Sequence, residues 1–230
     1  MPSKDSLITR FRKLEEARRT TDKKAYVWML FGWFGNKFYY NPPPDKTTAQ
    51  GKRYLNLGCG PNRIEGWVNA DFYRFHEWFR STSNLDWMLD FYRELNCPDN
   101  YWDGVFVEHA NEHLSYSANT NLLAEIHRVL KPGAIIRLVV PDLNRYLNFK
   151  DLQNDFEKFK RYHSLPEAVS NLTQNHGHAS VWTAELMTEV LESVGFSKIT
   201  VCDFQTGGNE DLLQDNERRR WESMYVEAQK

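Results

Sequence analysis

At 230 residues the chain suits one domain of ordinary size, or one domain with an appended segment, and its 41% hydrophobic content can supply a real core. A formal net charge of -2 lacks the basic excess of proteins that grip phosphate backbones, so no nucleic-acid partner is expected. Cys59, Cys97 and Cys202 are far apart and odd in number, with neither metal-ligand nor disulfide spacing, which fits a reducing cytoplasm.

The first residues, Met1 to Arg19, are polar and amphipathic, without a signal-peptide pattern. Ser6 to Arg19 reads as a surface helix, with Leu7, Ile8, Phe11 and Leu14 at helical spacing. Tyr26 to Tyr40 is dense in aromatics. Its most apolar part, up to Phe34, is too short to cross a bilayer and is broken by Gly32, so no membrane span is expected. The aromatics read as a hydrophobic cap, or as a lid whose rings stack on a substrate. Asn41-Pro42-Pro43-Pro44 then makes a stiff linker. Residues 1–50 therefore form an N-terminal cap, and a core domain covers 51–230.

From Lys52 onward strands alternate with helices. Tyr54–Leu57 is a short strand running into Gly58-Cys59-Gly60, and Trp67–Ala70 is a second, ending at Asp71. A third ends at Leu89 and Asp90. Gly104–Val107 is a fourth, ending at Glu108 and His109. Asn121 to Leu130 is an amphipathic helix stopped by Lys131-Pro132-Gly133, and Ala134–Val140 is a nearly all-apolar fifth strand. Thr183 caps a helix carrying Leu186, Met187, Val190, Leu191 and Val194, which Gly195 closes. Phe196–Cys202 and Ser223–Ala228 are the last strands. This alternation is that of an open α/β sheet that binds ligands at the carboxyl ends of its strands.

The motif Leu57-Gly58-Cys59-Gly60 follows the first strand directly. Glycines there let a backbone approach a ligand closely. A nicotinamide fingerprint needs a third Gly or Ala where Arg63 stands, which disfavours an oxidoreductase. Asp71 is placed to accept the hydroxyls of a ribose, and Asp90 the amino group of an adenine.

Several blocks in this order resemble the class I methyltransferases of the type 11-like group linked to bacterial surface-polysaccharide biosynthesis. They are Tyr54–Asn62, Gly66–Asp71, Trp102–Leu114, Leu123–Gly133, Val140–Leu143, Gly177–Phe196 and Met224–Lys230. The resemblance implies a Rossmann-like, mostly parallel seven-stranded sheet of order 3-2-1-4-5-7-6 with its last strand antiparallel. It implies S-adenosyl-L-methionine as cofactor, with S-adenosyl-L-homocysteine as product. Leu57, Gly58, Cys59 and Gly60 would wrap its methionine end, and Asp71 and Phe72 its ribose and adenine. Leu89, Asp90 and Phe91 would flank the base. Glu108 and His109 would meet the amino group and the sulfonium. Asn56 departs from the acidic residue common at its position, and Ala110-Asn111 from the usual aliphatic pair.

A hydroxyl acceptor needs a base as it attacks, and histidine suits that task. His109, His113, His176 and His178 are the candidates. His109 should lie nearest the sulfonium, or else merely fix its loop. His113 is expected to be structural. His178 matches a histidine of the resembled family, within an insertion at about 143–180 that should form the acceptor site. Asp142 either orients a histidine or caps the next helix. The His176-Gly177-His178 pair could hold a metal with His109 or Asp142, but the spacing does not demand one, and no metal is expected. The resemblance implies O-methylation of a sugar or glycan hydroxyl, by a monomer or homodimer. Alternatives are a methyltransferase for another small molecule and a non-catalytic S-adenosylmethionine-binding protein.

Overall fold

The computed structural model describes residues 3–19, 42–72 and 85–230. The aromatic stretch Tyr26–Tyr40 lies outside the described residues. Seven strands make one sheet: β1 (Tyr54–Leu57), β2 (Val68–Phe72), β3 (Trp87–Leu89), β4 (Trp102–Glu108), β5 (Leu130–Pro141), β6 (Ser197–Cys202) and β7 (Ser223–Gln229). Their order is β3-β2-β1-β4-β5-β7-β6. The first five run parallel, and β7 runs antiparallel to both β5 and β6. This is the Rossmann-like topology expected, reversed strand included. Every residue of β1 is buried, as are Gly104–Val107 of β4, because helices cover one face of the sheet and the segments around Trp67 and Leu212 the other. At the edge, β6 is mostly exposed, and its register shifts between Ser197 and Thr200. Such an irregularity blunts the edge against pairing with another chain.

The helix expected from Asn121 starts earlier. It spans Tyr116–Val129 (α2, following α1 at Lys4–Arg19), because Ser115 Oγ accepts from the Ala118 amide and caps it. Lys131-Pro132-Gly133 does not form a loop between helix and strand. β5 begins at Leu130, and the three residues bulge within it while its register against β4 shifts. Gly133 takes φ +79° there. Thr183 and the helix behind it (Ala184–Ser193) match the expectation.

α1 is less of a surface helix than its polarity suggests. Leu7, Ile8 and Phe11 are buried, whereas Leu14 is 65% exposed. Phe11 stacks on Tyr116 at 5.0 Å, and Arg10 pairs with Glu189 at 2.9 Å, so α1 lies across the helices of one face. The segment after β5 builds a second, smaller core from Tyr146, Phe149, Phe159, Tyr162, Leu172 and Trp221. Among the described residues no helix is long and apolar enough to cross a membrane.

One residue breaks the apolar pattern of β5. Arg137 is fully buried. Its guanidinium donates to Asp215 Oδ1 at 2.7 Å and Oδ2 at 2.5 Å, to Glu227 Oε1 at 3.0 Å, and to the carbonyls of Thr206 and Asp203. The fork geometry of arginine lets one side chain tie the loop after β6 to β7 beneath the sheet.

Candidate active site

The turn after β1 is held in place by its neighbours. Gly58 and Cys59 both donate their amides to the Ala70 carbonyl of β2, at 2.8 and 3.1 Å. Gly58 has φ +72°, and a Cβ there would stand 2.3 Å from the Ala110 Cβ. The turn is thus pressed against the loop that leaves β4. Gly60 has φ +50°, but among the described residues nothing lies within 4 Å of the place its Cβ would take. Only glycine suits both positions, for different reasons: close approach at the first, backbone conformation and open space at the second. Burial pushes the Cys59 thiol up to about 12, and Arg63 lies against its sulfur. Cys59 is therefore a packed thiol rather than a nucleophile. The Leu57 and Leu89 side chains are core, so these two can offer a ligand only backbone.

Asp71 ends β2 partly exposed, and its Oδ2 accepts from the Gly60 amide at 2.8 Å. That bond joins the glycine turn to the acid expected to hold the ribose. Phe72 pairs with Leu89 through its backbone, and its side chain lies outside the described ones. Phe91 is buried 3.8 Å from the Cβ position of Gly58, which brings the end of β3 to the same place. Asp90 is already engaged: Oδ1 accepts from the Tyr92 amide at 3.0 Å, and Oδ2 from Arg93 Nε at 3.0 Å. An adenine amino group would have to share those oxygens.

Asn56, which stands where an acidic residue was expected, is buried and structural. It donates to the Asn62 carbonyl and to Asn69 Oδ1, both at 2.9 Å. Asn69 in turn donates to the carbonyls of Ile64 and Trp67 and to Asp86. This amide chain fixes the short connection between β1 and β2, in which a first helix has no room.

At the end of β4, His109 takes a left-handed φ of +51°. Its ring is nearly buried. Nε2 lies 2.8 Å from Ser223 Oγ, and Nδ1 lies 3.1 Å from Glu112 Oε1. Ser223 donates its own proton to the Arg219 carbonyl, so it can only accept from His109. Glu108 points elsewhere and accepts from the Asn216 amide at 2.8 Å, and burial raises its carboxyl above the usual range. Glu112 is the residue that sequence reasoning missed. Burial opposes its charge, but the close approach of His109, together with His113, outweighs burial and holds the carboxyl below its usual range. A carboxylate two residues past a strand-end histidine and its alanine was a readable signal for such a pair.

Asp142 behaves as a helix cap. Its Oδ1 accepts from the Asn144 amide at 2.9 Å at the start of α3 (Leu143–Leu147), and among the described residues it makes no hydrogen bond to a histidine. His178 does come to the site. The amides of Ala179 and Ser180, just after it, donate to the Glu112 carbonyl at 2.6 and 3.1 Å. Its Nε2 stands 4.0 Å from Glu112 Oε1, and its ring meets that of His113 at 5.2 Å. Burial holds His178 below the usual histidine range. His176 stays exposed, with its ring 5.8 Å from that of His178.

Among curated proteins nothing matches this chain. Solved structures do. A SAM-dependent methyltransferase from Archaeoglobus fulgidus is 17% identical, with 78% of this chain and 86% of that one aligned at a TM-score of 0.47. A SAM-dependent methyltransferase from Thermotoga maritima, described as a possible histamine N-methyltransferase, is 14% identical, with coverages of 78% and 82% and a TM-score of 0.48. A third, from Aquifex aeolicus, is 14% identical over 96% and 97% at 0.43. At such scores none of them carries an argument about what this chain binds. A family model described as a methyltransferase domain matches residues 55–138. That span holds the glycine turn, Asp71, Asp90, Glu108 and His109, and over it the chain is similar to the methyltransferase domain family.

Proposed function

We propose that this chain is an S-adenosylmethionine-dependent methyltransferase whose acceptor is a sugar or glycan hydroxyl. The observation that carries the reading is one convergence. The Gly58–Gly60 turn, Asp71, Phe91 and Ala110 meet at the carboxyl ends of β1 to β4, next in chain to His109, within the span that matches a methyltransferase domain. The residues fit the cofactor. Open space beside Gly60 admits its methionine end, and the Asp71 carboxylate, tied to the Gly60 amide, faces a ribose. Leu57, Cys59, Leu89 and Phe91 line the turn and base region through backbone and packed side chains, with Phe72, Asp90, Glu108 and His109 at its margins. When bound, the cofactor supplies an electrophilic methyl group on a sulfonium.

The chain's own residues then have two tasks, to align the acceptor and to take its proton. His109 is the base in this reading, with its ring oriented by the Glu112 carboxylate. To act, its proton moves to Nδ1, on the Glu112 side, and Nε2 leaves the Ser223 hydroxyl to accept from that of the acceptor. His178 and the segment 143–180 close the acceptor side, Asp142 shapes the entry to that segment, and residues 1–50 serve as the N-terminal cap of the 51–230 domain. The sugar class follows from the sequence resemblance and from the need of a hydroxyl for a base. A monomer or homodimer in the cytoplasm suffices for it.

Two measurements test the reading. Labelled S-adenosylmethionine with free sugars, nucleotide sugars and oligosaccharides should yield a methylated hydroxyl and S-adenosylhomocysteine; transfer to none of them removes the acceptor assignment. Asp71→Ala should weaken cofactor binding about 10- to 100-fold, the loss of charge-assisted hydrogen bonds worth about 1.5–3 kcal/mol. Calorimetry showing unchanged affinity would refute the ribose assignment.

A further inference from the structure

The region between the end of β4 and the segment 143–180 poses a problem of charge. Glu112 is buried to 1% exposure, and among the described residues neither of its carboxylate oxygens accepts a hydrogen bond; His109 Nδ1 approaches Oε1 without hydrogen-bond alignment. A buried carboxylate with no hydrogen-bond donor on either oxygen is an incomplete arrangement that a further partner would complete. His178 does not relieve it. Its Nδ1 lies 2.6 Å from the Leu172 carbonyl, which can only accept, so Nδ1 carries the ring proton. In the neutral ring Nε2 is then a bare lone pair, and it faces the Glu112 carboxylate at 4.0 Å. Two acceptors confront one another across a gap.

His113 completes the set. One ligand atom each from Glu112, His113 and His178 lie within 4.8 Å of one another. Two ligands about 2.1 Å from a tetrahedral ion stand roughly 3.4 Å apart, so closing the group needs shifts of an ångström or so. His113 is exposed and free to swing. The other two are held by the backbone. The Ala179 and Ser180 amides clamp the His178 segment to the Glu112 carbonyl. Asn119 of α2 exchanges bonds with Asn111, donating to its carbonyl at 2.7 Å and accepting from its side chain at 2.7 Å. The Nδ1–carbonyl bond of His178 is the kind of outer contact that fixes a ligating histidine in its tautomer.

We propose that Glu112, His113 and His178 bind a divalent transition-metal ion, zinc foremost. A two-histidine, one-carboxylate set suits that ion and leaves a coordination position open for water or a substrate hydroxyl. The ion neutralises the Glu112 charge and separates the two acceptors. It also ties the strand end that carries His109 to the segment that carries His178. The site differs from the His176–His178 pairing with His109 or Asp142 considered from sequence, and it does not rest on methyl transfer.

The test reads metal rather than turnover. Full-length protein is stripped with a chelator, then titrated with cobalt(II), followed by its visible d–d bands, and with zinc against a chromophoric competitor. One equivalent should bind, with a cobalt spectrum of four- or five-coordinate intensity. His113→Ala and His178→Ala should each weaken zinc at least tenfold, while His163→Ala, at an exposed histidine elsewhere, leaves it unchanged. Glu112→Gln should also weaken zinc at least tenfold; should that variant fail to fold, the exposed His113 still decides. No cobalt band in the folded wild type, or a band and affinity that survive both histidine variants, overturns the site. Cofactor calorimetry on the same stripped protein reports separately on the methyltransferase reading.

Discussion

Arg137→Met should lower the unfolding free energy by about 3–5 kcal/mol, the cost of stranding buried charges whose partner is gone. The variant keeps the volume but leaves Asp215 and Glu227 beneath the sheet without the guanidinium that both now contact. It also removes the Arg137 donor from the Thr206 carbonyl, whereas the Asp203 carbonyl keeps its bonds from Thr206. Urea unfolding followed by circular dichroism would show a lower midpoint with an unchanged slope. Arg137→Lys should fall between the two, since an ammonium keeps the charge but cannot match Asp215 with two parallel bonds. A loss below about 1 kcal/mol for the methionine variant would mean that the triad is no better than an apolar patch, a result known for some buried ion pairs.

Arg137 also marks where sequence reasoning stops. The run Ala134–Val140 announces a buried strand by its apolar residues, and the strand is there. Nothing local says where an arginine within it finds partners. Asp215 and Glu227 lie 78 and 90 residues further along, and only the sheet order brings them under β5. The same holds at the site. The glycine turn and Asp71 are legible because a strand followed by Gly-x-Gly and a strand ended by an acid are local patterns. Their contact, the Gly60 amide on Asp71, spans only 11 residues. The Glu112–His178 neighbourhood spans the whole segment after β5 and was not legible. Asp142 was legible as a choice between two roles, and the geometry shows the cap. Ser115 was overlooked as a cap because the apolar stripe, not the polar residue before it, drew the start of α2.

Gly58→Ala and Gly60→Ala should fail in different ways, and the contrast separates scaffold from binding site. Both residues take a positive φ, so each alanine costs about 1–2 kcal/mol in backbone strain. At Gly58 the new methyl also collides with Ala110, where the Cβ atoms would be 2.3 Å apart, adding about 1–3 kcal/mol of overpacking. Gly58→Ala should therefore lower the thermal midpoint markedly. Adding Ala110→Gly should restore most of the overpacking share but not the strain. The two changes should couple by at least 1 kcal/mol or so in a double-mutant cycle, as contacting residues do. At Gly60 the methyl meets no atom of the described residues within 4 Å. Its stability cost should stay near the strain alone, while affinity for S-adenosylmethionine falls at least tenfold, because the methyl enters the space assigned to the ligand. Thermal unfolding and calorimetry on the three variants give the split. If Gly60→Ala binds the cofactor as the wild type does, the space beside that glycine is open to solvent only, and the methionine end must lie elsewhere along the turn.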